Sequence, residues 1–323
     1  MTGPRAASPG DAATRLPRRA VLGGLGLLGL LAACSPGPDA ALPLAAGEPG
    51  GFYAEFSALL AGVAAPAGPA LRPVVTGGSR DNAVLVARGG AAVGLALTDL
   101  VLAARAGAAP FTAPLELRAI GRVYENYLQL AVRADTPFTR LADLADRPVS
   151  LGAPGSGAAL TGARLLAVSG TRVRARELDL ATATASLADG RIDGFLWSGG
   201  VPTPAVGELA ARRAIRLLPL AEHLPALRAR FGTGPYTAAA VPAGAYGAPG
   251  PVATVGVANL LVAAPRLPDA DAGAVARLLV ERAPDLVPAS ALGTQYLDQP
   301  ALVDTGDVPL HPGAAAAYRE LHG

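Results

Sequence analysis

Lysine is absent from all 323 residues of this chain. A phosphate loop ending in Gly-Lys-Ser/Thr is therefore excluded, because that loop places its lysine on the phosphates. Cysteine occurs once, at Cys34, which rules out an intramolecular disulfide and a thiolate metal cluster. Stability has to come from packing. The three histidines, His223, His311 and His322, are too widely spaced to suggest a metal site. Methionine also occurs once, and the matching surplus of Ala, Gly, Pro and Arg fits a codon-biased genome better than a functional demand. After the first 33 residues no stretch approaches about 18 uninterrupted apolar residues, so nothing later in the chain is expected to span a membrane.

What is present begins with an export signal. Arg15, Arg18 and Arg19 precede an uncharged run from Ala20 to Leu31, and the small residues Ala32 and Ala33 lead to Cys34. A helix over that run would be roughly 18 Å long against a hydrocarbon core of about 30 Å, which suits a cleavable signal and not a permanent span. Paired Arg18 and Arg19 resemble a twin-arginine signal, and the general secretory route stays open beside it. Leu31-Ala32-Ala33-Cys34 matches the bacterial lipoprotein processing box, which makes Cys34 the expected lipidation site. Residues 34–43, rich in proline and small side chains, read as a lipid-anchored tether.

The formal net charge of +2 misleads. Four of the 27 basic and one of the 25 acidic residues lie in 1–33, which leaves 23 against 24 and a mature net charge of −1. Nucleic acid is not an expected partner. About 285 mature residues suffice for a large core in two lobes.

From Leu42 onward a short apolar strand, a loop of Gly, Ser, Thr, Asp or Pro, and a helical stretch recur, which predicts an α/β fold with substantially parallel sheets. Leu42–Ala46 precedes a helix from Phe52, and Leu71–Val75 precedes a helix that Ser79 could cap. Ala91–Leu97 precedes one that Thr98 or Asp99 could cap. Arg118–Val123 and Leu128–Val132 read as two strands, the second leaving the first lobe, and Pro137–Asp146 as a short capped helix. Val149–Gly152, then Pro154-Gly155-Ser156-Gly157, then a helix from Ala158 form the sharpest strand-to-helix junction. Ile192–Trp197 is a further strand, followed by a loop over 198–204 with Pro204 in the first helical turn. Residues 236–264 are extended and interrupted at 247–251, and they return the chain to the first lobe before C-terminal helices.

In such sheets ligands bind beyond the carboxyl ends of strands, where helix N-termini present free N–H groups. The recurring Gly/Ser/Thr loops point to a small, carboxylate-bearing ligand held without metal or cofactor. Enzyme readings fail on spacing. Gly155-Ser156-Gly157 is not a nucleophile elbow, because Pro154 and Ala158 stand where glycines are required. His311, within Pro309-Leu310-His311-Pro312-Gly313, reads as a turn residue, and Asp189 and Asp193 as solvated loop carboxylates.

Taken in order, Gly50-Gly51-Phe52-Tyr53, Thr76-Gly77-Gly78-Ser79 with Asn82, Thr98-Asp99, residues 152–157, 200–204 and 309–313 resemble the TAXI family of solute receptors from TRAP transporters. The resemblance runs from about 44 to 320. It implies a two-lobed periplasmic-binding-protein (type II) fold, with lobe I over 44–130, lobe II over 131–240 and a return to lobe I over 241–323. It further implies a monomer that hands a small organic anion from the cleft to an ion-gradient-driven TRAP permease.

Carried across, the resemblance puts Gly51, Tyr53, Thr76, Ser79, Asn82, Thr98, Asp99, Tyr124, Ser156, Gly157, Gly200 and Thr203 at or near the ligand. Ser79, Thr98, Ser156 and the amides of Gly51 and Gly157 would bind carboxylate oxygens, Tyr53 and Tyr124 would wall the pocket, and Asp99 could receive an ammonium. The sequence departs from the family pattern at Glu48 and Pro49, where small residues are usual, at Thr98 for serine, and at Ala158, which lacks a hydroxyl. Segments near 128–135 and 236–256 would act as hinges for closure. A glutamate-like, dicarboxylate or related acid suits these loops, as do aromatic or apolar acids. A lipoprotein presenting ligand to a membrane sensor is the alternative use of the same cleft.

Overall fold

The computed structural model describes residues 41–289 and 291–322. The export segment 1–33, Cys34 and the tether up to residue 40 lie outside the described residues. The last tether positions, Leu42 and Pro43, are already strand, so the fold begins slightly earlier than residue 44.

The predicted alternation is present. β1 (Leu42–Ala45), α1 (Phe52–Ala67), β2 (Leu71–Val74), α2 (Ser79–Arg88), β3 (Val93–Leu97) and α3 (Thr98–Ala106) form strand-loop-helix units, with β1 parallel to both β2 and β3. All five residues of β3 are buried, as expected of a strand covered on both faces. β2 carries Pro73 and is the outermost strand on its side, where a missing N–H costs no ladder bond. After β4 (Arg118–Arg133) a second series follows: β5 (Pro148–Ser150), α4 (Gly157–Ser169), β6 (Arg174–Arg176), α5 (Leu180–Ala188), β7 (Gly194–Gly199) and α6 (Pro204–Arg212). β8 (Ile215–Leu218), α7 (Leu224–Phe231), β9 (Tyr236–Val241) and β10 (Val252–Ala263) come next. The chain ends with α8 (Asp269–Glu281), α9 (Gln299–Val303) and α10 (Pro312–His322).

One sheet of ten strands holds these together in the order β2-β1-β3-β10-β4-β7-β5-β6, with β8 on β4 and β9 on β10. β10 runs antiparallel to β3 and β4, and β4 antiparallel to β7. The sheet thus has a first half around β1–β3 and a second around β5–β7, joined by β4 and β10. Phe52, Phe56 and Leu60 of α1 pack with Val275 and Leu279 of α8 and Tyr318 of α10 in one core. Leu180, Phe195, Trp197 and Leu209 belong to another in the second half. Among the described residues no helix is long and apolar enough to cross a membrane.

Several local expectations are corrected. Residues 118–123 and 128–132 are not two strands but parts of the 16-residue β4. Glu125 and Asn126 look like a break in the sequence, yet both are buried in the strand. The Glu125 carboxylate accepts from Thr237 and Tyr296, each at 2.5 Å, which supplies the partners a buried charge needs. Pro137–Asp146 is not a helix but holds one 3-10 turn, Leu141–Leu144. The Asp143 carboxylate accepts from the amides of Thr139 and Arg140 there, competing with helix formation. Ser79 does not cap α2; Gly78 holds that position at φ 111°, and the serine turns inward. Neither Thr98 nor Asp99 caps α3, whose N-cap is Leu97. His311 is a buried turn residue, its Nδ1 accepting from the amide of Gly313.

Asn82 ties the first half together. Its Nδ2 donates to the carbonyls of Ala46 at 2.6 Å and Leu95 at 2.7 Å, and its Oδ1 accepts from the Thr76 hydroxyl at 2.6 Å. Asn82→Ala strands two buried carbonyls and is expected to lower stability by about 3 kcal/mol in urea unfolding; an unchanged midpoint would show that the loops find other donors.

Candidate functional site

The ends of β1, β2 and β3 lead into loops that face those of β5 and β7, and a small cavity of about 30 Å³ lies between them. Gly47, Glu48, Gly51, Phe52 and Tyr53 line it from the β1–α1 turn, Gly77, Gly78 and Ser79 from the start of α2, and Leu97 from the end of β3. The opposite wall is Ser156, Gly157 and Ala158 at the start of α4, with Trp197, Ser198 and Gly199 at the end of β7.

Three helix N-termini, those of α1, α2 and α4, therefore meet on one space, and their free N–H groups and partial positive charge favour an anion there. Hydroxyls supplement them. Tyr53 bonds Ser79 Oγ at 2.9 Å and donates to Asn259 Oδ1 at 3.0 Å, and burial pushes its phenol well above the usual range. Ser79 Oγ also accepts from the Leu97 amide at 3.3 Å. Ser156 caps α4 by accepting from the Ala159 amide at 3.1 Å, which leaves its own proton free to donate.

The lining contains no Arg or His, and Glu48 is its one carboxylate. Oε2 of Glu48 accepts from the Leu180 amide at 2.6 Å. Burial, with a smaller contribution from Asp179, raises its carboxyl above the ordinary value, while the Leu180 bond opposes that rise.

Of the twelve residues expected at the ligand, Gly51, Tyr53, Ser79, Ser156 and Gly157 line the cavity. The other seven stand behind the lining. Thr76 and Asn82 bond to each other beneath the α2 turn. Thr98 donates to the Ala258 carbonyl at 2.8 Å. Tyr124 is fully buried, its ring 4.8 Å from Phe52 and 5.2 Å from Phe56, so it backs the wall and does not form it. Thr203 accepts from the Trp197 indole at 2.9 Å and donates to the Gly200 carbonyl at 2.8 Å, so it orients the ring that faces Gly51. A Cβ on Gly200 would lie 2.5 Å from the Phe52 ring.

Asp99 departs furthest from its expected role. Its Oδ2 accepts from Thr161, Arg164 and Tyr236, each at 3.1 Å, so the partner it meets is an arginine of this chain and not a ligand ammonium. Burial holds its carboxyl above the usual range, and Arg164 only partly offsets that.

Trp197, Ser198 and Gly199 also line the cavity although the sequence pattern ends the strand at Trp197; β7 continues through Gly199. The signal that could have found them is the single tryptophan of the chain, placed at a strand's carboxyl end.

The NMT1-like family matches residues 44–321. This chain belongs to the NMT1-like family. Solved structures agree on the architecture of this NMT1-like chain. A periplasmic transporter aligns at 14% identity over 88% of this chain and 93% of the other, with a TM-score of 0.53. A protein from Bordetella bronchiseptica RB50 aligns at 16% identity over 88% and 98%, with a TM-score of 0.56. An ABC-transporter periplasmic binding protein from Brucella ovis, solved with glutathione bound, aligns at 10% over 76% and 70%, with a TM-score of 0.50. The fold is the two-lobed α/β fold of periplasmic binding proteins.

Asp99 joins α3 to α4 and β9, and Asp99→Ala leaves Arg164, whose side chain is 15% exposed, without its counter-charge. The expected loss is roughly 3 kcal/mol in equilibrium unfolding; a loss below about 1 kcal/mol would mean that Arg164 reaches water freely.

Proposed function

We propose that this chain is an extracytoplasmic solute-binding receptor that captures a small carboxylate-bearing solute between two lobes and hands it to a membrane permease. The observation that carries this reading is the convergence of three helix N-termini and the Ser79, Ser156 and Tyr53 hydroxyls on one cavity between the halves of the sheet. No bond is made or broken in this role. Recognition needs only neutral donors and oriented dipoles, which suit a carboxylate without a metal.

In this reading lobe I spans 44–130 and 241–323 and lobe II spans 131–240. β4 and the β9–β10 hairpin serve as the hinge, and solute contacts on both lobes select the closed form. The ordered loop motifs that resemble TAXI receptors support a TRAP permease as the partner. The segment before Cys34 supports export and lipid anchoring, with residues 35–43 as a short tether beside that permease. Glutamate-like acids and dicarboxylates are the favoured solutes.

Native mass spectrometry of the purified protein should reveal a retained organic acid, and adding it at about 100 times its dissociation constant should contribute about 2.7 kcal/mol of stability in a thermal shift. Ser156→Ala should weaken that binding by about 1 to 3 kcal/mol by calorimetry, through loss of a hydrogen bond to a charged group. Unchanged affinity would remove Ser156 from the site. Deleting the gene should abolish uptake of the solute; uptake that persists while signalling is lost would favour a sensor as the partner.

A further inference from the structure

The turn between β1 and α1 belongs to the first half of the sheet, yet it bonds twice to the second. Glu48 Oε2 accepts from the amide of Leu180, the first residue of α5, at 2.6 Å. Two residues on, the Gly50 carbonyl accepts from the amide of Ala205 in the first turn of α6 at 3.2 Å. The next residue, Gly51, lies against Trp197, whose ring carbon would be 3.3 Å from a Cβ placed there. The start of α5 already has a carboxylate of its own, since Asp179 accepts from the Thr182 amide at 2.7 Å. A second carboxylate beside it is therefore held there by its bond to Leu180, against the repulsion of Asp179, and charge-assisted bonds of this length are the strong kind.

We propose that residues 47–51 form a strap that holds the cleft closed, with Glu48 acting as an internal ligand on the place at α5 that a solute carboxylate would otherwise take. The strap closes the cleft from the first half onto α5 and α6, and it confines a solute's anionic group to the N-terminal ends of α1, α2 and α4. Closure by the strap stands on these contacts alone; only its consequence for the solute rests on the receptor reading above.

Trp197 is the single tryptophan and touches the strap, so its fluorescence reports the strap directly. The test is acrylamide quenching of Trp197 in the full mature chain for wild type, Glu48→Ala and Glu48→Gln. Glu48→Ala is expected to raise the quenching constant about twofold or more, as the open population grows. Acetate at about 100 mM, against chloride at equal ionic strength, is expected to reverse the rise by refilling the place on α5. Glu48→Gln, which keeps an acceptor without the charge, should fall between the two. Far-UV circular dichroism separates opening from unfolding, and Glu48→Gln carries the test alone if Glu48→Ala does not fold. Equal quenching in wild type and the folded variants, or a rise that acetate leaves untouched, overturns the proposal. Wild-type protein without retained solute in native mass spectrometry, combined with an acetate-reversible rise, would sink the receptor reading and leave the strap standing.

Discussion

The antiparallel pairing of β4 with β10 is the constraint on which the rest of the molecule depends. From Arg118 to Tyr127, β4 lies along β10; from Tyr127 onward it pairs instead with β7 and β8. β10 mirrors this, pairing with β9 over Val252–Val257 and with β3 over Asn259–Ala263. Two strands thus belong to both halves of the sheet, and every loop of the cavity is positioned relative to that shared pair. The exchange of partners falls at Tyr127 and Gly256, which face each other in the register. A side chain on Gly256 would overlap the Glu125 carboxylate and the Thr237 hydroxyl, so glycine there is what lets a buried acid sit between β4 and β9. Arg122 stacks over the Tyr296 ring at 3.7 Å and approaches Glu125 at 3.8 Å, which completes the charge balance of the crossing.

Polarity along this crossing bears on what the cavity recognises. Asn126, Gln129 and Asn259 lie on the two shared strands, and Ser198 joins them from β7; all are buried. Asn126 Oδ1, Gln129 Oε1, Asn259 Nδ2 and Ser198 Oγ have no hydrogen-bond partner among the described residues. Burying such groups is unfavourable unless something else satisfies them. Ser198 lines the cavity and Asn259 bonds Tyr53 of its wall, so these two groups lie at the cavity or directly behind it. Neutral amides and hydroxyls together with helix ends discriminate by geometry more than by net charge.

The recurrence of strand, loop and helix was legible because glycine and hydroxyl residues cluster where strands end. Phe52 and the Ser156-Gly157 junction were placed to within a residue for that reason. What the sequence hid was the use of polar residues inside elements. Glu125 and Asn126 look like a loop because their hydrogen-bond partners are far off in sequence: Thr237 and Tyr296 for Glu125, and the Ser198 carbonyl, 72 residues on, for Asn126. Ser79 looks like a cap and Asp99 like a cap or ligand contact because local spacing cannot show that Tyr53 and Arg164 already hold them. Tyr124 looks like a wall residue, yet a long strand passing behind α1 places it against two phenylalanines.

The same distinction explains why the loop motifs mark the cavity even where individual residues do not line it. A side chain on Gly157 would overlap Leu97 and approach Ser79, and one on Gly200 would strike Phe52. Each of these clashes pairs a residue of the second half with one of the first. The glycines therefore serve the close approach of the halves, and any solute contact they make follows from it. A receptor that binds by closing must have surfaces able to meet around its solute, and at these positions the meeting requires the absence of a Cβ. Thr203 extends this requirement outward, since it fixes the indole that rests on Gly51 while its own amide donates to the Tyr246 hydroxyl at 2.6 Å. Motif positions such as Gly200 and Thr203 can thus govern affinity through the closed geometry without touching the solute.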